Sequence, residues 1–218
     1  MIQHRDYSHK STDYFQMTQH DLLDFIPPGD HIILDIGCAE GFTGKALKES
    51  HRAKEVHGIE LVPDVAERAK AQLDSVISGN LETMEFPFQP QTFDYIIATE
   101  VLEHLINPSH VLQKLFPLLR PSGHVIASVP NIRHLRVIWH LVIQGDWRYR
   151  DSGPFDRTHL RIFTKTSFKR LFEENGYEVR QMRPALLKKA QILNQLSLGI
   201  LEEFWAFRYY CIARKNDA

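Results

Sequence analysis

Two carboxylates beside a glycine-rich turn carry the first chemical signal in this sequence. Asp35 lies near the end of the apolar run Ile32–Ile36, and Glu60 lies near the end of a second run, "VHGIEL". Gly37 and Gly41 follow the first run; glycines there let the backbone come close to a ligand, and the next helix presents free N–H groups. In an open parallel sheet, ligands bind beyond the carboxyl ends of the strands. The pattern therefore predicts a nucleotide-type ligand at this edge.

The charge of Asp35 narrows the choice of ligand. A dinucleotide would place its pyrophosphate at the turn, where a carboxylate repels it, whereas an ammonium group would be attracted. Glu60, about 20 residues after the turn, suits both hydroxyls of a ribose, although a plain exposed strand end is the alternative for that residue. The ligand that carries both an ammonium group and an adenosyl ribose is S-adenosylmethionine. NAD would also use Glu60, but Asp35 and the lack of a Tyr-xxx-Lys pair argue against NAD.

Two histidines could supply acid–base chemistry for such a ligand. Methyl transfer from a sulfonium is an in-line displacement, so the protein must mainly align donor and acceptor, and a base is needed where the nucleophile is protonated. His159 lies in "GPFDRTHLRIFT", where Asp156, three residues earlier, could orient its ring. His104 lies in "EVLEHL". The structural alternatives are a brace bonded to a carbonyl for His159 and a helix-start residue for His104.

The composition is that of an ordinary globular protein. The chain has 218 residues, 43% of them hydrophobic and 24% charged, with a formal net charge of -1, so no global field favours nucleic acid or an anionic membrane. Its 12 histidines are scattered without metal-ligand spacing, and we expect no metal. The cysteines Cys38 and Cys211 lie far apart, and we find no targeting segment or long apolar run. These features predict a cytoplasmic monomer or homodimer without a transmembrane segment.

Alternating strands and helices predict an α/β fold. The order of the elements favours an open parallel sheet with helices on both faces. The predicted strands are Ile32–Ile36, Glu55–Leu61, Ser75–Ser78, Phe93–Thr99 and His124–Val129, and the predicted helices are Thr43–Ser50, Pro63–Leu73 and Pro108–Leu119.

The pattern changes after Pro130. Residues 131–163 are rich in arginine, histidine and aromatics without a clean period, which indicates a cap over the edge of the sheet. A helix over Thr166–Asn175 and closing strands over Tyr177–Arg183 and Phe207–Arg214 are predicted next. We expect one domain over 1–218: an N-terminal helical rim (1–28), a cofactor-binding core (29–130), the cap or acceptor segment (131–163), and C-terminal helices and closing strands (164–218).

From Ile32 to Pro130 the chain resembles the class I S-adenosylmethionine-dependent methyltransferases. "LDIGCAEG" is similar to their glycine motif and "GIEL" to their ribose-binding position; "SGNLETMEFPFQPQTFDYIIATEVLEHL" is similar to their adenine-contacting and fourth-strand segments, and "LLRPSGHVIASVPN" to their fifth strand. The resemblance implies a Rossmann-like seven-stranded, mostly parallel sheet with its last strand antiparallel. It implies S-adenosylmethionine as cofactor and S-adenosylhomocysteine as product.

The same resemblance assigns roles to individual residues. Two residues depart from the family pattern. Ala39 stands where many members carry a second glycine, and Asn80 stands where an aspartate is common. The contact of Asn80 with the adenine amino group would therefore use its amide oxygen. The implied cofactor contacts are Asp35, Gly37, Cys38 and Gly41 at the methionine part, Glu60 at the ribose, Leu61 beside the adenine, Asn80 and Leu81 at the adenine edge, and Glu100 beneath the methionine end. His104 would lie at the lip of the pocket, and His159 would close over the acceptor.

The cap suggests an acceptor. Its six arginines outnumber its three aspartates and are interleaved with aromatic side chains, which could grip an anionic acceptor such as a phosphorylated or uronic sugar. Pairing of these arginines with local acids and solvent is the alternative. The segment that follows "PN" at 130–131 also resembles bacterial enzymes of glycan and natural-product pathways, which implies O-methylation of a sugar-type acceptor.

Other functions stay open. A quinone-type phenol is the alternative acceptor within the class. RNA modification is opposed by the neutral charge and by "ATEVLEH" in place of an NPPY-like motif. A cofactor-binding protein without catalysis is the third possibility. The stretch "LRVIWHLVI" is too short to span a membrane, although it could rest on an interface or form a core helix.

Overall fold

A seven-stranded sheet organises the chain. The structure is a computed structural model that describes residues 15–16 and 18–216. The strand order is β3-β2-β1-β4-β5-β7-β6; β1 to β5 pair in parallel, and β7 runs antiparallel to both β5 and β6. The predicted mostly parallel sheet with an antiparallel last strand is confirmed. The strands are β1 (Ile32–Ile36), β2 (Glu55–Glu60), β3 (Ser75–Ser78), β4 (Phe93–Thr99), β5 (Leu119–Pro130), β6 (Tyr177–Ala185) and β7 (Arg208–Lys215).

Helices cover both faces of the sheet. One buried cluster holds apolar side chains of α4 and α6 against the sheet, and a second holds those of α1, α2 and α3. Much of the predicted N-terminal rim, residues 1–14 and 17, lies outside the described residues. The helices are α1 (His20–Leu23), α2 (Phe42–Glu49), α3 (Pro63–Ala69), α4 (Pro108–Leu115), α5 (Leu135–Ile138), α6 (Lys165–Glu173), α7 (Lys188–Leu196) and α8 (Glu202–Trp205).

Several element ends differ from the prediction, and local chemistry explains the clearest one. Helix α4 ends at Leu115 instead of Leu119, because Pro117 has no N–H to continue the α-helical ladder; a 3₁₀ turn, Phe116–Leu118, follows. Strand β5 begins at Leu119, five residues earlier than predicted. Leu119 pairs with Phe93 of β4, and the register between the two strands shifts between Phe93 and Tyr95.

The register of β1 against β2 brings the two predicted carboxylates to one edge. Asp35 pairs with Gly58, and Ile36 pairs with Ile59, so Glu60 lies just beyond the end of β1. The side chains along both strand ends are buried, as expected for central strands covered on both faces.

The cap of residues 131–163 is irregular and tied to the ends of β4 and β5. It contains α5, a π-helical turn (Trp139–Ile143) and a 3₁₀ turn (Gly153–Phe155). The N–H of Ile132 donates to the carbonyl of Phe163, and the N–H groups of Leu160 and Arg161 donate to the carbonyl of Glu103. These bonds hold the segment that carries His159 over the end of β4. Among the described residues, no helix is both long enough and apolar enough to cross a bilayer.

Candidate active site

A cavity of about 540 Å³ opens at the carboxyl ends of β1, β2 and β4. Its position beyond these strand ends is where open α/β sheets bind ligands. The cavity brings together eleven of the twelve predicted site residues: Asp35, Gly37, Cys38, Glu60, Leu61, Asn80, Leu81, Glu100, His104, Asp156 and His159.

The turn after β1 depends on left-handed backbone. Gly37 has φ +69°, and a Cβ built on it would lie 2.5 Å from Cγ2 of Val101, so a side chain here would clash. Ala39, the departure from the glycine motif, has φ +49°, a conformation that costs alanine roughly 1–2 kcal/mol. The turn therefore keeps its shape in spite of the missing second glycine.

Gly41 lies between Ala39 and Thr43, which both line the cavity. This glycine is not among the lining residues; it precedes α2 with φ +83° and packs closely against Leu73 and Gln72. Its N–H donates to the carbonyl of Cys38 and closes the turn. Gly41 thus shapes the loop and the start of α2, and its direct contact with the cofactor stays a prediction.

Asp35 and Glu60 form a buried acidic pair in the cavity wall. Asp35 is 3% exposed, and desolvation together with the charge of Glu60 raises its pKa to about 7. The carboxylate of Glu60 accepts the N–H of Ala39 at 3.0 Å and that of Val62 at 3.0 Å; burial still raises its pKa. A cation beside Asp35 would relieve the cost of the buried charge, which fits an ammonium group.

The cavity wall also fits the adenosine part of S-adenosylmethionine. Glu60 keeps lone pairs for ribose hydroxyls, and Leu61 and Leu81 provide an apolar wall for a base. The amide oxygen of Asn80 already accepts the N–H of Glu82 at 2.9 Å. A contact from that oxygen to an adenine amino group would have to share it, which is the consequence of the asparagine at this position.

A buried cluster of Glu103, His104 and His159 lies where the cap meets the end of β4. One ligand-type atom from each of the three side chains lies within 4.8 Å of the others. Nδ1 of His104 lies 3.1 Å from the carbonyl oxygen of Thr158. A carbonyl only accepts, so Nδ1 carries the proton, and in the neutral ring the lone pair is on Nε2. The His104 and His159 rings meet edge to face, 4.8 Å between centroids.

The carboxyl group of Glu103 is the unusual member of this cluster. The residue is 1% exposed, and neither side-chain oxygen has a hydrogen-bond partner among the described residues. Burial, and next the charge of Glu100, hold its pKa well above the usual range. Nε2 of His159 lies 4.0 Å from Oε1 of Glu103, which is beyond hydrogen-bonding reach.

Asp156 is positioned by its own loop. Its Oδ1 accepts the N–H of Thr158 at 2.9 Å and the hydroxyl of Thr158 at 2.7 Å, while its carbonyl accepts the N–H of His159. Asp156 therefore fixes the turn that presents His159. Its predicted role in orienting the imidazole ring stays a prediction.

The cap arginines do not converge on the cofactor cavity. Among the described residues, none of the six lines it. Arg133 pairs with Glu203, Arg157 pairs with Asp151 at 3.0 Å, and Arg161 donates to the carbonyl of Ile106 at 3.0 Å. Local pairing, the alternative interpretation, accounts for these three.

A second cavity of about 410 Å³ adjoins the first one. Asp156 and His159 line both cavities, so the two meet at the cap loop. Arg161 is the one cation in its wall, and the remaining lining residues are apolar or aromatic: Pro130, Ile132, Leu141, Trp147, Tyr149, Pro154, Ile162 and Phe163.

Several residues of the site were missed by sequence reasoning, and four of them bear on its charge and shape. Phe15 and Gln19 line the cofactor cavity from the N-terminal segment, and no motif in that segment pointed to them. Arg208, on β7, lines it too; its Nε lies 3.7 Å from Oε1 of Glu100, and its Nη1 donates to Gln19 at 2.9 Å. Glu103 is next to His104 in "EVLEHL", but its burial against the cap could not be predicted from that motif.

Comparison with known proteins identifies the family. A family described as "Methyltransferase domain" matches residues 9–182. The chain belongs to this methyltransferase family. The predicted class I S-adenosylmethionine-dependent methyltransferase is thereby confirmed at the level of family and fold, and S-adenosylmethionine is the cofactor expected for it.

Curated relatives of this methyltransferase carry one recurring name. This chain is 27% identical over 172 residues to the ubiquinone biosynthesis O-methyltransferase of Aeromonas salmonicida, and the alignment covers 77% of this chain and 70% of that protein. It is 34% identical over 102 residues to the mitochondrial ubiquinone biosynthesis O-methyltransferase of Schizosaccharomyces pombe, covering 44% of this chain and 36% of that one.

Solved structures share the fold of the methyltransferase at low identity. A SAM-dependent methyltransferase from Archaeoglobus fulgidus aligns with TM-score 0.68 at 16% identity, covering 96% of this chain and all (100%) of that one. The complex of the Haloferax volcanii Trm112 methyltransferase activator with its methyltransferase also matches, with TM-score 0.68 and 16% identity over 94% of this chain and 91% of that one.

Proposed function

We propose that this methyltransferase transfers the methyl group of S-adenosylmethionine to a phenolic oxygen of an apolar, quinone-type acceptor. The observation that carries the proposal is the second cavity, whose wall is mainly apolar and aromatic, with Asp156, His159 and Arg161 as its ionisable members, and which meets the cofactor cavity at His159. A hydroxylated ring with a hydrocarbon tail suits such a wall, since apolar burial drives its binding. The names of the curated relatives support the same acceptor class.

The expected sugar or glycan acceptor is not supported. That interpretation depended on the resemblance of the cap segment and on its six arginines. Among the described residues, none of the six lines the cofactor cavity and only Arg161 lines the second one, and the curated relatives described above are named for ubiquinone biosynthesis. A sugar would also need several hydrogen-bonding groups, which the second cavity offers at few positions.

Each part of the site has a task in this reaction. Asp35 holds the ammonium group of the cofactor and Glu60 its ribose, which aims the sulfonium methyl toward the junction of the two cavities. A phenol has a pKa near 10, so it must lose its proton before or during attack. His159 lies at this junction, with His104 and Glu103 beside it, and provides the group that handles that proton. The phenolate oxygen then bonds to the methyl carbon as the carbon–sulfur bond breaks and its electron pair stays on sulfur.

Label transfer in a complex mixture tests this proposal. The purified protein is incubated with methyl-labelled S-adenosylmethionine and a fractionated bacterial extract, beside His159→Ala and the control His110→Ala, which changes an exposed histidine on α4. Label in the quinone-lipid fraction that is lost in His159→Ala and kept in His110→Ala supports the proposal. Label in the glycan or RNA fraction overturns the acceptor, and no label in any fraction favours a non-catalytic cofactor-binding protein.

A further inference from the structure

We propose that Arg208 binds the carboxylate of S-adenosylmethionine and makes the protein selective for ligands that keep this group. The inference concerns the cofactor and does not depend on which acceptor is methylated. The methionine part of the cofactor carries an ammonium group and a carboxylate on one carbon atom. Asp35 is assigned to the ammonium group and Glu60 to the ribose, so the carboxylate is the charged group that still needs a partner.

The position of Arg208 follows from the direction of β7. This strand runs antiparallel to β5, so its first residue, Arg208, pairs with Pro130 at the carboxyl end of β5. On its other side, Arg208 pairs with Ala185 of β6. A side chain carried by a strand that is paired on both sides starts from a rigid backbone, which favours a precise binding position.

The charges of the cavity wall single out Arg208. Among the described residues that line the cofactor cavity, it is the one lysine or arginine. An anionic group of the ligand is repelled by the carboxylates of this wall and attracted by the guanidinium. The carboxylate of the cofactor is therefore expected beside Arg208. The carboxyl groups that line the same cavity belong to Asp35, Glu60, Glu82, Glu100 and Asp156.

The guanidinium of Arg208 also has a donor to offer. Its Nη1 donates to Oε1 of Gln19 at 2.9 Å, and a further side-chain bond joins it to Tyr210. Its Nε is buried and has no hydrogen-bond partner among the described residues. A ligand carboxylate would accept from this N–H, and such charge-assisted bonds are among the stronger ones.

The side chain of Arg208 reaches toward Asp35 across the sheet. Strands β4 and β5 lie between β1 and β7, yet Nε of Arg208 comes within 3.7 Å of Oε1 of Glu100, which follows β4. This distance is too long for a hydrogen bond but short enough for the two charges to attract each other. Since β4 pairs directly with β1, the guanidinium ends one strand away from Asp35.

Two charged contacts on one carbon atom would give the site both direction and selectivity. With the ammonium group at Asp35 and the carboxylate at Arg208, the methionine chain has one orientation, which fixes where the sulfonium methyl points. Decarboxylated S-adenosylmethionine keeps the ammonium group, the sulfonium and the adenosine. It would leave the buried Nε of Arg208 without an acceptor, and a site built to bind a polar group rejects the analogue that lacks it.

Calorimetric titration at pH 8 with two ligands tests this inference. The ligands are S-adenosylhomocysteine and its decarboxylated form, which differ only in the carboxylate. We expect the wild type to bind S-adenosylhomocysteine at least tenfold more tightly. Arg208→Gln should weaken S-adenosylhomocysteine at least tenfold and leave the decarboxylated ligand unchanged, while Arg180→Gln, at an exposed arginine of β6, should match the wild type. Equal binding of both ligands by the wild type, or equal weakening of both in Arg208→Gln, overturns the assignment.

Two further variants separate carboxylate binding from a bracing role of Arg208. Arg208→Lys keeps the positive charge, so it should bind S-adenosylhomocysteine more tightly than Arg208→Gln does. Gln19→Ala removes the bond from Arg208 to the N-terminal segment and should keep the preference for S-adenosylhomocysteine. If Gln19→Ala loses this preference as fully as Arg208→Gln does, Arg208 acts by holding the N-terminal segment and the proposal is wrong. Binding of the decarboxylated ligand reports that each variant is folded.

These titrations contain no methyl acceptor, so they separate this inference from the proposed function. Equal binding of the two ligands by the wild type contradicts the role of Arg208 and leaves the phenol acceptor standing. The expected preference for the carboxylate, in a protein that methylates no phenol, supports the role of Arg208 and contradicts the proposed acceptor.

Discussion

Nε2 of His159 lies 4.0 Å from Oε1 of Glu103, although β5 and most of the cap separate the two residues in the sequence. The contact depends on the backbone of the cap loop, where the N–H groups of Leu160 and Arg161 both donate to the carbonyl of Glu103. The cap loop and the end of β4 are therefore joined at the point where the two cavities meet.

Asp35 should make cofactor binding depend on pH. Its pKa of about 7 means that below pH 7 much of it is protonated in the free protein, and the cofactor's ammonium group favours the ionised form. We expect the affinity for S-adenosylhomocysteine to rise from pH 5.5 to about 7.5 and then level off. Calorimetric titrations should show this rise in the wild type and in Asp64→Asn, an exposed control, and a flat profile in Asp35→Asn.

The same carboxylate should lower the stability of the free protein at high pH. Because the pKa of Asp35 is raised on folding, the folded state holds a proton that the unfolded state releases between pH 3.8 and about 7, so stability falls across that window. Asp35→Asn removes this penalty, which amounts to on the order of 4 kcal/mol for a fully buried group. Denaturant unfolding should find the variant more stable than the wild type at pH 8 and the difference smaller at pH 5; a constant difference would contradict the assignment.

The binding of two ligands should distinguish the role of Asp35 at the methionine end of the cofactor cavity from that of Glu60 at the ribose end. Methylthioadenosine has the ribose and adenine of S-adenosylhomocysteine but no ammonium group. Asp35→Asn should weaken S-adenosylhomocysteine at least tenfold at pH 8 and leave methylthioadenosine unchanged, whereas Glu60→Gln should weaken both. The assignment fails if Asp35→Asn weakens both ligands equally.

Gly37 should be intolerant of a side chain for a steric reason. Its Cβ would lie 2.5 Å from Cγ2 of Val101 in a left-handed conformation, so Gly37→Ala should cost about 2–4 kcal/mol. Gly145→Ala, where nothing lies within 4 Å and φ is +64°, should cost only about 1 kcal/mol. Thermal unfolding should also find that adding Val101→Ala to Gly37→Ala is less harmful than the sum of the single changes.

The second cavity should contribute most to the binding of acceptors with a hydrocarbon tail. Trp147 lines that cavity and packs against Phe155 at 4.8 Å between ring centroids, whereas Trp139 is 55% exposed and lines neither cavity. Trp147→Ala should raise KM for a prenylated catechol about tenfold, and less for free catechol, since part of the lost area contacts the tail. Trp139→Ala should change neither value, and KM for S-adenosylmethionine should stay the same throughout.

The sequence predicts the central sheet well because its strands are short, continuous apolar runs bounded by turn residues. Five predicted strands, from Ile32–Ile36 to His124–Val129, all lie within observed ones or extend them by a single residue. The carboxylates Asp35 and Glu60 could be placed as well, because the ends of parallel strands lie at one edge.

The contacts between segments that are distant in sequence could not be predicted. Nothing local in "EVLEHL" shows that Glu103 is buried under a loop that begins after β5, and Arg208 reaches the cavity only because β7 inserts between β5 and β6. The sequence also did not show that a Cβ on Gly41 would lie 3.0 Å from Leu73 and 3.2 Å from Gln72, which follow α3.

Methyl transfer to defined acceptors tests the central claim most directly. Purified protein is supplied with labelled S-adenosylmethionine and either a short-chain prenylated catechol or a nucleotide sugar, and kcat/KM is measured for each. We predict a labelled methyl group on the phenolic oxygen, with kcat/KM at least a hundredfold higher for the catechol. Equal or faster transfer to the sugar, or a methyl group on ring carbon in place of oxygen, would contradict it.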